Sequence, residues 1–319
     1  MRHLIKTSLL TFLLACSGLL AQMNPQEQLK QAFVLEHQGQ FGKVVSIVKP
    51  LTDSHELTSV ELGRAYMILG IAYESEGEPA DAHNAFEHAI RILDHDSEHI
   101  PDYAAALDNY ASLYSDSGQL EVAGNMWLKA FHLRQSSGDH AAIMRSLTTL
   151  AGLALSRNRV HEAKRYLKSA SEEMKVAYDA VDDDLAVFLE TDAWLALAEH
   201  HPSEAVAKYH RSLDVLKRTR GQQHWLTGWE YMLLGRAYAE LGDMNNALAD
   251  MREGLLILEH ALGNRNPKYF VAQMVYSHIL DQTGSHAEAA QIKAAAEQAS
   301  RAFYRNQCVG CTINVAAFR

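Results

Sequence analysis

The stretch Leu107–Ala130, LDNYASLYSDSGQLEVAGNMWLKA, decides the fold. Leu107, Tyr110, Ala111 and Tyr114 fall at i, i+3, i+4 and i+7, one apolar stripe on a helix. Ser117-Gly118 breaks the pattern, and glycine readily takes the left-handed conformation that ends a helix. Leu120, Ala123, Trp127 and Ala130 then make a second stripe. The spacing predicts two short helices around a tight turn. Neither can bury its stripe alone, so the hairpin needs neighbours.

The chain supplies them. Ala111 recurs as Ala32, Gly70, Ala151, Ala193, Gly235 and Ser277, at spacings of 38 to 42 residues. Seven residues after each comes a turn residue: Gly39, Gly77, Gly118, Asn158, His200, Gly242, Gly284. Twelve after comes Val44 or an alanine (Ala82, Ala123, Ala163, Ala205, Ala247, Ala289). Sixteen after comes a larger residue: Val48, Phe86, Trp127, Leu167, Tyr209, Met251, Lys293. Columns that keep one register over seven units mean a solenoid. Small residues let the two helices of a hairpin cross closely, and the large one fills the space to the next hairpin. Pro79 and Pro202 fall where second helices start, Pro101 and Pro267 where first helices start. Gln28, Gln31, Lys293 and a Pro50 expected to interrupt its helix make the end units irregular, as soluble array ends require.

The order small–Tyr–Gly–Ala–Phe–Ala in Gly70, Tyr73, Gly77, Ala82, Phe86 and Ala89 resembles the tetratricopeptide repeat. A unit near 42 residues, with no proline closing the second helix, resembles its kinesin-light-chain type. The resemblance implies an all-α fold, a right-handed superhelical solenoid of about seven hairpins over residues 22–300. It also implies a concave face lined by first helices.

Residues 1–21 read differently. Arg2 and Lys6 precede the apolar run Leu9–Ala21, as in a cleaved export signal, which places the protein in the periplasm or outside the cell. A membrane anchor is disfavoured because the run is short. Leu13–Cys16 resembles a lipoprotein processing site, which would instead leave a lipid anchor on Cys16. Removing residues 1–21 takes the net charge from −10 to −12, with 27 basic against 39 acidic residues. That balance argues against nucleic acid and anionic lipid as partners.

No phosphate loop, nucleophile elbow or zinc helix is present, so no catalytic residue, cofactor or metal is expected. Ser46–Lys49 matches S-x-x-K without its companion motifs and reads as incidental. His95 and His99 lack a third ligand. Cys308 and Cys311, in the tail 301–319, are spaced C-x-x-C; in an exported protein this reads as a local disulfide, with a redox or metal site as the alternative.

The partner is expected to be a protein or peptide on the concave face. Positions six and three before each small residue, and one after it, give the lining. Trp194, Trp229, Met232, Arg236, Met274 and His278 concentrate in units five to seven, with Arg145 and Glu190 before them. Trp and Arg are favoured hot-spot residues, and Met adapts to varied partners. Inter-repeat core is the competing reading for the apolar ones. In tetratricopeptide families an asparagine at the place of Asn109 often bonds a peptide backbone; no other unit has it. The expected function is a non-catalytic interaction scaffold. The alternatives are a thiol-active or metal-binding envelope protein and a peptide-sensing regulator.

Overall fold

The computed structural model describes residues 23–94, 99–177 and 182–307. The signal-like segment, Cys16, His95, Cys308 and Cys311 lie outside them. Among the described residues the chain forms fourteen helices and no strand. They pair as seven hairpins: α1 (Pro25–His37) with α2 (Phe41–Asp53), α3 (Ser59–Glu76) with α4 (Pro79–Leu93), and α5 (Ile100–Asp116) with α6 (Leu120–Gln135). Then come α7 (His140–Ser156) with α8 (Val160–Val176), and α9 (Asp182–Ala198) with α10 (Pro202–Thr219). Last are α11 (Trp225–Leu241) with α12 (Met244–Leu262), and α13 (Pro267–Gln282) with α14 (His286–Gln307).

Each column of the sequence has its place. All seven turn residues have positive φ, from +56° at Asn158 to +88° at Gly242. The non-glycines there, Asn158 and His200, are types that tolerate this region. The first small column is buried wherever it carries a side chain (Ala32, Ala111, Ala151, Ala193, Ser277). At Gly70 an added Cβ would lie 2.6 Å from the Phe86 ring, so the larger residue fills the space the small one leaves. Phe86, Trp127, Leu167, Tyr209 and Met251 are buried, and Lys293 is exposed.

Two boundaries differ from expectation. Pro50 sits inside the last turn of α2 rather than interrupting it, because the following Leu51 is buried against the amino-terminal core. A late proline forfeits only one backbone bond. The last helix runs past residue 300 to Gln307, and Phe303 packs edge-on against Phe270, ring centroids 6.2 Å apart.

First helices of successive hairpins touch one another (α1 with α3, α3 with α5, α7 with α9, α9 with α11, α11 with α13), whereas second helices do not to a like extent. Elements that crowd lie on the inside of a curve, so first helices line the concave side. The curve brings the far hairpins back to the near ones. The Asn266 carboxamide, 2% exposed, donates to the Ser75 carbonyl at 2.6 Å. Lys268 Nζ reaches Asp116 at 2.9 Å and Glu74 at 3.8 Å. Trp225 and Leu262 pack on the amino-terminal core. Gly77, at φ +79°, lies under Pro267 and Phe303, where a Cβ would meet them at 3.1 and 3.2 Å. Burial pushes the Glu74 carboxyl up to about 7 at this contact, against the pull of Lys268.

Candidate functional site

The groove columns divide into residues committed to the protein and residues left to a ligand. Arg145 belongs to the first kind. Its guanidinium pairs with Asp184 at 3.0 Å, from the next first helix. Arg64 and Asp102 repeat that pair at 2.7 Å in the same register, so these arginines stitch adjacent hairpins together. Met232 is 3% exposed and belongs to the core of the last two hairpins, not to the groove wall; Gly254 opposite lets it sink that far. Asn109 spends its amide on the Ala105 carbonyl one turn back, at 2.9 Å. Trp194 and Trp229 are half-buried and pack on the cores of hairpins four to five and six to seven.

Arg236, Met274 and His278 come together with Val271 at a cavity of about 910 Å³. It is bounded by α11, α13 and α14. All four belong to the groove columns. Val275 and Ile279 add apolar surface, and Lys293, Glu297 and Arg301 come from α14. Arg301 is paired with Glu297 at 2.9 Å, while Arg236 and Lys293 make no ion pair among the described residues. The wall thus joins apolar side chains to two cations outside any ion pair, the Glu240 carboxylate and a histidine, whose ring nitrogen lies 3.2 Å from the Gln282 amide. Sequence reasoning reached Arg236, Met274 and His278 but missed Lys293. It treated that departure from the large column as end capping.

A second set of polar residues lies deeper, at the junctions between hairpins. Three positions meet there: three before the small residue, twenty-three after it, and five before the next one. At most junctions they are apolar or nearly so: Met67, Leu93, Ala106; Thr148, Met174, Phe188; Met232, Leu258, Ala272. Between hairpins three and four they are Asp108, Arg134 and Ser146. Arg134, only 4% exposed, donates to the Asp108 carboxylate and, at 2.7 Å, to the Ser146 hydroxyl. Burial pushes Asp108 above the usual carboxylate range, and the guanidinium beside it pulls it back.

Between hairpins five and six the same positions hold Glu190, Leu216 and Glu230. The cation is replaced by a buried leucine, 6% exposed, and a second carboxyl stands opposite the first. Glu230 is 1% exposed, and its Oε1 has no hydrogen-bond partner. The Ser212 hydroxyl lies beside Glu230, but it donates its one proton to the Ala186 carbonyl at 3.0 Å. Burial pushes Glu190 up to about 7, and burial together with the Glu190 charge pushes Glu230 well above its ordinary value. Burial pushes the hydroxyl of Tyr209, 2% exposed, well above its ordinary value, and the charges of both carboxyls add to that. Glu190 keeps an edge toward the groove, since it is half-buried and on a lining column. Glu230 was not singled out in the sequence, because from the second unit on its column otherwise carries alanine, serine or phenylalanine.

Comparison with known proteins agrees with this architecture. A tetratricopeptide-repeat family model, of the kinesin-light-chain type, matches residues 231–268. The fold is an all-α solenoid of tetratricopeptide-like helix hairpins. No curated protein matches the chain. Among solved structures it is similar to the Rap conjugation gene regulator of plasmid pLS20 in complex with the Phr* peptide, with a TM-score of 0.67 and 13% identity over 88% of this chain and 74% of that one. It is also similar to a Rap protein complexed with competence and sporulation factor (TM-score 0.65, 10% identity, 88% and 78% coverage). A third likeness is to BtubC (BKLC) of P. vanneervenii (TM-score 0.52, 18% identity, 74% and 94% coverage). Identities this low speak to the fold alone.

Proposed function

We propose that the protein is a non-catalytic interaction scaffold that holds an extended or helical peptide segment on the concave face of its last three hairpins. The observation that carries this reading is the cavity of about 910 Å³. Its wall joins apolar Val271, Met274 and Ile279 to the cations Arg236 and Lys293. Such a surface suits a ligand with apolar side chains and a carboxylate, and it is of the size that buries a small ligand or a few side chains. Two neighbours of the fold were solved in complex with the Phr* peptide and with competence and sporulation factor, which supports the peptide reading by likeness of architecture.

The signal-like residues 1–21 support an exported protein, periplasmic or secreted, with a lipid anchor on Cys16 as the alternative, and the mass of the mature amino terminus tests this. The groove is tested by selecting random displayed peptides on the wild-type chain and on Arg236→Glu combined with Met274→Ala. The selected peptides should lose binding at least tenfold in the variant, about 1.4 kcal/mol, with an unchanged helical spectrum. Equal binding by both would remove the cavity from the function.

A further inference from the structure

Asp108, Arg134 and Ser146 show what this architecture does with a buried acid at a hairpin junction: it supplies a guanidinium from the second helix. At the equivalent junction of hairpins five and six the guanidinium position is Leu216, and the acid is doubled as Glu190 and Glu230. No ion pair reaches either carboxyl among the described residues. Lys208 on the same α10 is turned to Asp192 at 2.8 Å and to Glu204 at 2.7 Å. Arg236 acts on Tyr209 through its charge but makes no ion pair. Both junctions hold a carboxyl oxygen that accepts nothing, Asp108 Oδ1 and Glu230 Oε1; in the second no guanidinium offsets the desolvation of the acid. A cation arriving from outside would supply that offset.

We infer that Glu190 and Glu230 form the receptor for a basic side chain, arginine or lysine, of the peptide held in the groove. The half-buried edge of Glu190 is the entrance and the unpartnered Oε1 of Glu230 is the deeper acceptor. Since Leu216 fills the place that Arg134 holds in the sister junction, the incoming cation reaches the carboxyls from the groove side, past Glu190. Arginine fits better than lysine, because its planar fork can donate to two carboxyls at once. The inference rests on the groove reading and adds the chemistry of one ligand position to it. With Arg236 and Lys293 at the far cavity, the ligand so described carries a basic residue toward hairpins five and six and an acidic group toward hairpin seven.

Random-peptide selection on the full chain tests this, with wild type, Glu190→Gln and Leu216→Arg side by side. Glu190→Gln is nearly isosteric. Leu216→Arg supplies the missing guanidinium from within. The expected result is a consensus with arginine or lysine at one fixed position. That preference should fall at least tenfold in both variants, about 1.4 kcal/mol, while the rest of the consensus persists. A consensus without a basic position, or one whose basic position survives Glu190→Gln, overturns the inference and leaves the groove reading standing. No consensus from any form counts against the groove reading itself. The receptor is then judged alone, by titrating N-acetyl-arginine-N-methylamide to about 50 mM, a range that detects millimolar binding, while following the glutamate carboxyl carbons by NMR. A saturable shift in wild type that is absent from Glu190→Gln supports the receptor; no shift in wild type overturns it.

Discussion

The junction of hairpins three and four and the junction of hairpins five and six use the same three positions and reach opposite electrostatic ends. In the first, Arg134 donates to one oxygen of the Asp108 carboxylate and to the Ser146 hydroxyl, so the buried acid has its cation even though Asp108 Oδ1 accepts no hydrogen bond. In the second, Glu190, Leu216 and Glu230 leave acid without a cation. Since the backbone repeat and the packing are shared, the difference lies in which side chains the chain places in one frame. A solenoid lets one junction serve stability and its structural twin serve recognition, because each contacts only its neighbours.

The comparison can be broken most sharply at Arg134. Arg134→Leu copies the leucine of the sister junction but leaves Asp108 buried without its cation. It should cost about 3–5 kcal/mol of stability at neutral pH, read from the denaturant midpoint. A loss under 1 kcal/mol would mean that the two junctions are not the opposites described here.

Glu190→Gln should move stability the other way. Burial raises this carboxyl to about 7 in the folded protein. The folded state therefore keeps a proton that the unfolded chain releases near its ordinary value of about 4.3. A raised carboxyl contributes fully below the unfolded value, and the contribution is lost as pH rises through about 7. The variant should thus match wild type near pH 4 and exceed it near pH 8, by about 2 kcal/mol once solvent access to Glu190 is allowed for. Comparing urea midpoints of the two proteins across that range checks both sign and window.

Ser146→Ala removes one hydrogen bond from the buried Arg134 and keeps the ion pair. A loss of about 1.5 kcal/mol is expected from a hydrogen bond to a charged group, measured by the same denaturation. The smallest effect belongs to Arg145→Ala. Its pair with Asp184 bridges hairpins four and five from an arginine side chain 45% exposed. The change should cost no more than about 0.5 kcal/mol and fade in high salt, which separates a surface stitch from a buried triad.

Much of the fold was legible because one residue type recurs at each structural demand. Gly39, Gly77 and their equivalents report positive φ, and Ala82 or Ala123 report close helix crossings. The return of Trp225, Asn266 and Lys268 to the first three hairpins left no such trace, since contacts between residues some 190 positions apart obey no period. The groove was legible in part. Counting columns found Arg236, Met274 and His278, but counting does not say how far a side chain sinks or what it pairs with. Met232 went into the core and Arg145 into an ion pair for that reason. Glu230 escaped because its meaning depends on residues of two other helices. Only with Glu190 and Leu216 placed beside it does a surface-type residue become a buried acid lacking its cation.

The central claim is that the fifth junction holds a carboxyl pair lacking the cation its twin possesses. The most direct measurement is an NMR titration of the glutamate carboxyl carbons in the full chain, with Glu190→Gln and Glu230→Gln to assign the signals. The account predicts that the first proton leaves the pair at about pH 7 or above, and that added N-acetyl-arginine-N-methylamide lowers this value. Titration of both carboxyls between about 4 and 5, the range of ordinary glutamates, with no response to the arginine probe, would contradict it.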